Sequence, residues 1–179
     1  MIFEHDFPIC KIDAASHLIG GIVYTNNEID LQGDSASAEE IQKAAHQFLI
    51  DSRIVGLMHR ASAPGCHVVE SFISPDGMRW GNTTVRKGTW LVVIQVDNPD
   101  IWRDVQSGRL GGISMSGSAA RSDDGHLSKI KVAEVSLVDR AANGKKFSFT
   151  KSEEDDLSAA EVQALAETVD QLRLLVYKL

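Results

Sequence analysis

Six short runs of apolar and β-branched residues, closed off by Gly, Pro, Asp and Asn clusters, set the terms on which this 179-residue chain can fold. They are HLIGGIVYT (17–25), IVGLMH (54–59), HVVESFIS (67–74), TWLVVIQV (89–96), LGGISMSGSA (110–119) and IKVAEVSLV (130–138). Only two stretches between them carry helical spacing. In the first, Ser37 and Glu40 form a capping-box pattern ahead of Ile41, Ala44, Ala45, Phe48 and Leu49. In the second, Asn98 and Pro99 supply an N-cap and a first-turn proline, Ile101, Trp102 and Val105 an apolar face, and Gly108 a stop. Helices that do not alternate with the strands argue against a βαβ series and for a twisted barrel or a sandwich bearing helices. Gly20 and Gly21 mark a bulge or bend in the first run, which is read as the strand that opens the domain.

The length suits one domain with an appendage, and the composition divides there. Residues 1–150 hold the strand-rich domain; 151–179 begin with the charged KSEEDD and continue into a second capping-box pattern, Ser158 and Glu161. Val162, Leu165, Val169, Leu172 and Val176 then step by three and four, the seam of an amphipathic helix. Such a helix packs on its own domain, binds a partner or pairs two protomers. With 18 basic against 25 acidic residues the formal charge is −7, which disfavours a broad phosphate-binding surface and hence nucleic acid. No stretch approaches the roughly 18 apolar residues of a membrane span. The N-terminal MIFEHDFPICKID does not read as a secretion signal, so a cytoplasmic location is expected. Cys10 and Cys66 stand in no metal-type spacing and read as ordinary thiols; neither a metal nor a cofactor is expected.

Alternate residues of a strand share a face, so Leu110, Gly112, Ser114, Ser116 and Ser118 line one side of their run with small groups. A serine there is ordinarily a close-packed strand residue, and His59, at the end of its own run, is ordinarily structural. Glu134 is harder to dismiss. On the simple alternation it shares a face with Ile130, Val132, Ser136 and Val138, where an ionised carboxylate is costly without a donor. An imidazole would satisfy it, and carboxylate, imidazole and serine hydroxyl together form the orienter, base and nucleophile of a serine hydrolase. The other reading has Glu134 facing solvent.

The order of DLQGD (30–34), SAEEIQKAAHQFL (37–49), LMH (57–59), VVESFIS (68–74), KGTW (87–90), GGISMSG (111–117) and EVSLVDRAAN (134–143) resembles the phage prohead maturation proteases, in their XkdF-like branch. The resemblance runs from about 17 to 143. It implies a fold related to the herpesvirus capsid protease: α+β, mainly β, a compact β-barrel of about six or seven strands surrounded by helices, here followed by the C-terminal helix.

It implies as activity a serine endopeptidase that digests scaffold and capsid-protein extensions inside the immature shell, in the bacterial host cytoplasm. Scaffold and major capsid proteins are then the partners, with a homo-oligomer through the last helix as a further expectation. Residue by residue, the LMH histidine makes His59 the general base, and the serine of the glycine-hydrophobic-serine pattern makes Ser114 the nucleophile. Glu134 is the preferred third member; Asp139 and His126 are its alternatives. Arg121, just past the serine strand, is a candidate for holding an oxyanion-stabilising water. Gly111, Gly112 and Gly117 are expected to let a substrate backbone approach along a strand edge. Ser116 replaces a glycine common in relatives, and Ala141 a proline, so a catalytically inactive, protease-derived structural protein that binds scaffold or capsid subunits is the rival reading. A small-ester hydrolase fits less well, because no G-x-S-x-G elbow is present.

Overall fold

The computed structural model describes residues 2–29, 33–81 and 83–139. The appended segment 151–179, Ala141 and residues 30–32 of DLQGD lie outside the described residues.

The chain runs β1 (Ile2–Asp13), β2 (Leu18–Tyr24), α1 (Ala38–Asp51), β3 (Val55–Leu57), β4 (Ala61–Ser62), β5 (Cys66–Ile73), β6 (Met78–Trp80), β7 (Thr83–Val85), β8 (Trp90–Val96), α2 (Pro99–Gln106), β9 (Gly112–Arg121) and β10 (Leu127–Val138). Eight strands form one sheet in the order β4-β3-β10-β9-β1-β2-β8-β5, and β6 pairs with β7 in a separate hairpin. The mainly β architecture with two helices agrees with the sequence reading. The strand count of ten exceeds the six or seven expected, and among the described residues no ladder joins the end strands β4 and β5 into a closed barrel.

The first strand is not the run at 17–25. It is β1, which alternating charges and Pro8 conceal in the sequence. Ile2–Pro8 pairs with β9 and Ile9–Asp13 with β2, so Pro8 sits where the strand changes partner and its missing N–H interrupts neither ladder. The irregularity expected at Gly20 and Gly21 falls instead on the neighbouring strand, where Cys10 is the extra residue between the pairs Ile9–Gly21 and Lys11–Gly20. Gly20 serves another end: a Cβ there would lie 2.6 Å from the Trp80 ring, which closes over the sheet at this point.

Both helices start where their caps place them. Ser37 Oγ accepts from the Glu40 amide at 3.2 Å, but the Glu40 carboxylate does not close the box; it accepts from the Ile130 amide of β10 at 2.8 Å. Glu40 thereby pins α1 to the sheet, and Ile41, Ala44, Ala45 and Phe48 are buried, Phe48 edge-on to Trp90 with ring centroids 5.7 Å apart. Asn98 Oδ1 accepts from the Asp100 and Ile101 amides to start α2, whose Trp102 stacks on His17 at 4.6 Å. The main core joins these helices to Ile19, Val92, Ile94, Ile113, Met115, Val135 and Leu137. A smaller cluster, Cys10, Ile22, Val85 and Leu91 with Phe72, Met78 and Trp80, covers another part of the sheet.

Candidate active site

Three strands bring the polar residues together. β9 and β10 are antiparallel, with Ser114 opposite Ser136 and Ser116 opposite Glu134; β3 lies parallel on the far side of β10, with Gly56 opposite Ser136. One irregularity decides which way Glu134 points. Between the pairs Val132–Gly117 and Glu134–Ser116, β10 advances two residues while β9 advances one, so Ala133 is the inserted residue of a bulge. The bulge reverses the alternation: Val132 faces as Gly117 does, whereas Glu134 and Ser136 face with Ser116 and Ser114. The simple alternation that grouped Glu134 with Ile130 and Val132 is therefore corrected. Val135 and Leu137 take over the core side.

His59 is delivered to this face by a tight turn after β3. Met58 and His59 both take left-handed backbone, φ 55° and 52°, and the Arg60 amide donates to the Leu57 carbonyl at 3.1 Å. Two consecutive non-glycine residues in that region cost roughly 1–2 kcal/mol each. The turn is tied down by the Met58 amide, which donates to the Leu137 carbonyl of β10 at 2.9 Å. Strain held by cross-strand bonds beside reactive groups is what a positioned side chain requires.

The imidazole bridges the other two groups. Nδ1 lies 2.7 Å from Glu134 Oε1, and Nε2 lies 2.7 Å from Ser114 Oγ. The carboxylate, as an acceptor, selects the tautomer with the proton on Nδ1; Nε2 then accepts the serine hydroxyl. The His59 and Glu134 side chains retain 15% and 20% of their exposure, while Ser114 retains none. The Ser114 hydroxyl is thus directed at the His59 ring and is itself shielded from solvent, while ring and carboxylate stay partly exposed.

The remaining candidates lie elsewhere. Asp139 is exposed and meets the turn through its backbone amide, 3.2 Å from Met58 Sδ. His126 sits in the β9–β10 connection, its amide donating to Ser122 Oγ at 3.1 Å, at the opposite end of β10 from Val138. Arg121 ends β9, and its Nε donates to the buried Asp34. Along β9 its Cα stands seven residues from that of Ser114, roughly 23 Å at about 3.3 Å per residue, and its guanidinium is engaged at Asp34. Gly117 also serves otherwise than expected: a Cβ there would lie 2.0 Å from the Lys131 carbonyl oxygen, so the backbone that approaches it is the chain's own β10. β9 is flanked by β10 and β1, leaving no free edge beside Ser114 for an added strand.

Sequence reasoning missed Gly56. A Cβ there would lie 2.4 Å from Glu134 Oε2 and 2.2 Å from Ser136 Oγ. Its signal was a lone glycine in an otherwise apolar strand, a mark of close approach. Among the described residues no group of three or more His, Cys, Asp or Glu side chains is placed to share a metal ion, and no helix is long and apolar enough to cross a membrane.

The fold matches the solved structure of the bacteriophage T4 capsid assembly protease, gp21, with a TM-score of 0.55 over 77% of this chain and 96% of that one, at 10% identity. Two Bacillus subtilis (strain 168) proteins align over 102 residues, 57% of this chain: the phage-like element PBSX protein XkdF at 37% identity and the uncharacterized protein YqbD at 36%. The aligned segment spans 37% and 31% of their respective lengths, about a third of each. Residues 7–123 match the model of a family described as "Putative phage serine protease XkdF", a stretch that includes β3, the His59 turn and the Ser114 strand, and the chain belongs to that family.

Proposed function

We propose that this chain is a serine endopeptidase of phage head maturation, with Ser114 as nucleophile, His59 as general base and Glu134 as the carboxylate that orients and balances the imidazole. The observation that carries the reading is the His59 ring, 2.7 Å from a hydroxyl on one nitrogen and 2.7 Å from a carboxylate on the other. The family and the fold of a capsid assembly protease support the same chemistry.

In this mechanism Ser114 Oγ attacks the scissile carbonyl carbon as its proton passes to His59 Nε2. The Nδ1–H bond to Glu134 stabilises the imidazolium so formed. The same proton then goes to the leaving amine, and a water deprotonated by His59 releases the acyl group from Ser114. Because β9 has partners on both edges, the substrate meets Ser114 from above the sheet face and not as an added strand beside it. Because Ser114 has no exposed surface, cleavage requires a local opening that uncovers Oγ. The substrates in this proposal are scaffold and capsid-protein extensions within the assembling prohead, in the host cytoplasm, and the segment 151–179 serves to recruit the enzyme or pair two copies.

Co-expression of the full chain with scaffold and major capsid proteins of a tailed phage tests the reading. The parent is expected to shorten them, and Ser114→Ala to reduce cleavage by at least about 10³-fold with the fold retained. Undiminished processing by Ser114→Ala defeats it. The complete burial of Ser114 favours a second reading, a structural protein that keeps the barrel-derived fold and binds these partners without hydrolysis. In that case the parent neither cleaves nor is labelled at Ser114 by a fluorophosphonate.

A further inference from the structure

The acid of the site has more donors than a simple triad provides. Glu134 Oε1 receives His59 Nδ1–H at 2.7 Å, the Ser136 hydroxyl at 3.0 Å and the Ser116 hydroxyl at 3.3 Å. Oε2 points instead at the bare Cα of Gly56. Ser136 comes two residues along the same strand face, and Ser116 comes across the ladder from β9, so the three donors converge on one oxygen from different elements.

We propose that Ser136, assisted by Ser116, is a positioning residue that fixes the Glu134 carboxylate for His59. A glutamate side chain gives up rotamer freedom when held in one conformation, and a single bond to a ring that must itself be held does not specify that conformation. Ser136 has no exposed surface, so water cannot stand in for its hydroxyl, and its nearest charged acceptor is this carboxylate. Ser116 is half-buried and its bond is longer, which makes it the weaker support. Gly56 supplies the space: any side chain there would displace the carboxylate and the hydroxyl together.

This proposal rests on the protease reading for its kinetic consequence but not for its physical one. In the full chain labelled with ¹⁵N-histidine, the His59 Nδ1–H proton is expected downfield and slow to exchange. Ser136→Ala should speed its exchange and lower kcat, each by about tenfold, with KM within about twofold; Ser116→Ala should change both by about two- to threefold. If Ser136→Ala does not fold, Ser116→Ala alone decides, since that site is half-exposed. Exchange unchanged in the folded variants overturns the positioning role even if the parent cleaves. Faster exchange in a parent that never cleaves upholds it while the protease reading falls.

Discussion

The sheet has two differently built regions. Around β2 and β8 nearly every residue is buried, with the main core holding Ile19, Val92 and Ile94, and the smaller cluster holding Ile22 and Leu91 under Trp80. Around β10 the core side is equally apolar, through Val135 and Leu137, but the other side carries Ser114, Ser116, Glu134 and Ser136 beneath an imidazole. Apolar contacts are many, weak and tolerant of small shifts; hydrogen bonds to one carboxylate are few and directional. The first region should therefore respond to substitution in stability, and the second in turnover.

The largest expected effect tests the first half of that contrast. Leu91→Ala removes a fully buried side chain and should cost about 2–5 kcal/mol in a urea melt, with kcat of the folded fraction unchanged; a loss confined to kcat would break the contrast. Gly56→Ala probes the second region. Overpacking there costs about 1–3 kcal/mol, and displacing Glu134 should lower kcat by roughly 10²-fold, more than the stability loss explains. Arg121→Ala sharpens the boundary between the two: it deprives the buried Asp34 carboxylate of a cationic partner, so stability should fall by about 1–3 kcal/mol while kcat stays within about twofold. A large fall in kcat would restore Arg121 to the chemistry.

The smallest effect is a pH dependence. Burial, with a smaller contribution from the Asp97 charge, pushes the Cys66 thiol up from 9.0 to about 11. Between those values the unfolded chain releases a proton that the folded chain keeps, so Cys66 contributes full stability below pH 9 and loses it as pH rises toward 11. The parent should accordingly lose more stability across that window than Cys66→Ala, by on the order of 1 kcal/mol per pH unit. Parallel urea midpoints for the two would contradict it.

Much of the fold was legible because burial on both faces leaves continuous apolar runs. TWLVVIQV is such a run and became β8, while the Ser37 and Asn98 caps, a separate polar signal, mark the starts of α1 and α2. β1 was hidden because charges interleave with its apolar residues and because a proline, Pro8, stands where the strand changes partner. The site was legible in residue type but not in orientation. Nothing in KVAEVS tells which residue is the inserted one, and the bulge at Ala133 alone turns Glu134 toward Ser116. Gly117 illustrates the same gap: its lack of a side chain was plain, but not that the neighbour was Lys131.

The shared pairing of β1 also orders events during synthesis. Its second half finds β2 within a few residues, whereas Asp6 must wait for Ser114, more than a hundred positions later, before the first half can be zipped into place. A ladder closed over so long a loop forms late. On a ribosome still making residues before 134, the His59 ring has no carboxylate on its far nitrogen, so hydroxyl, imidazole and acid cannot be lined up until β10 has been made.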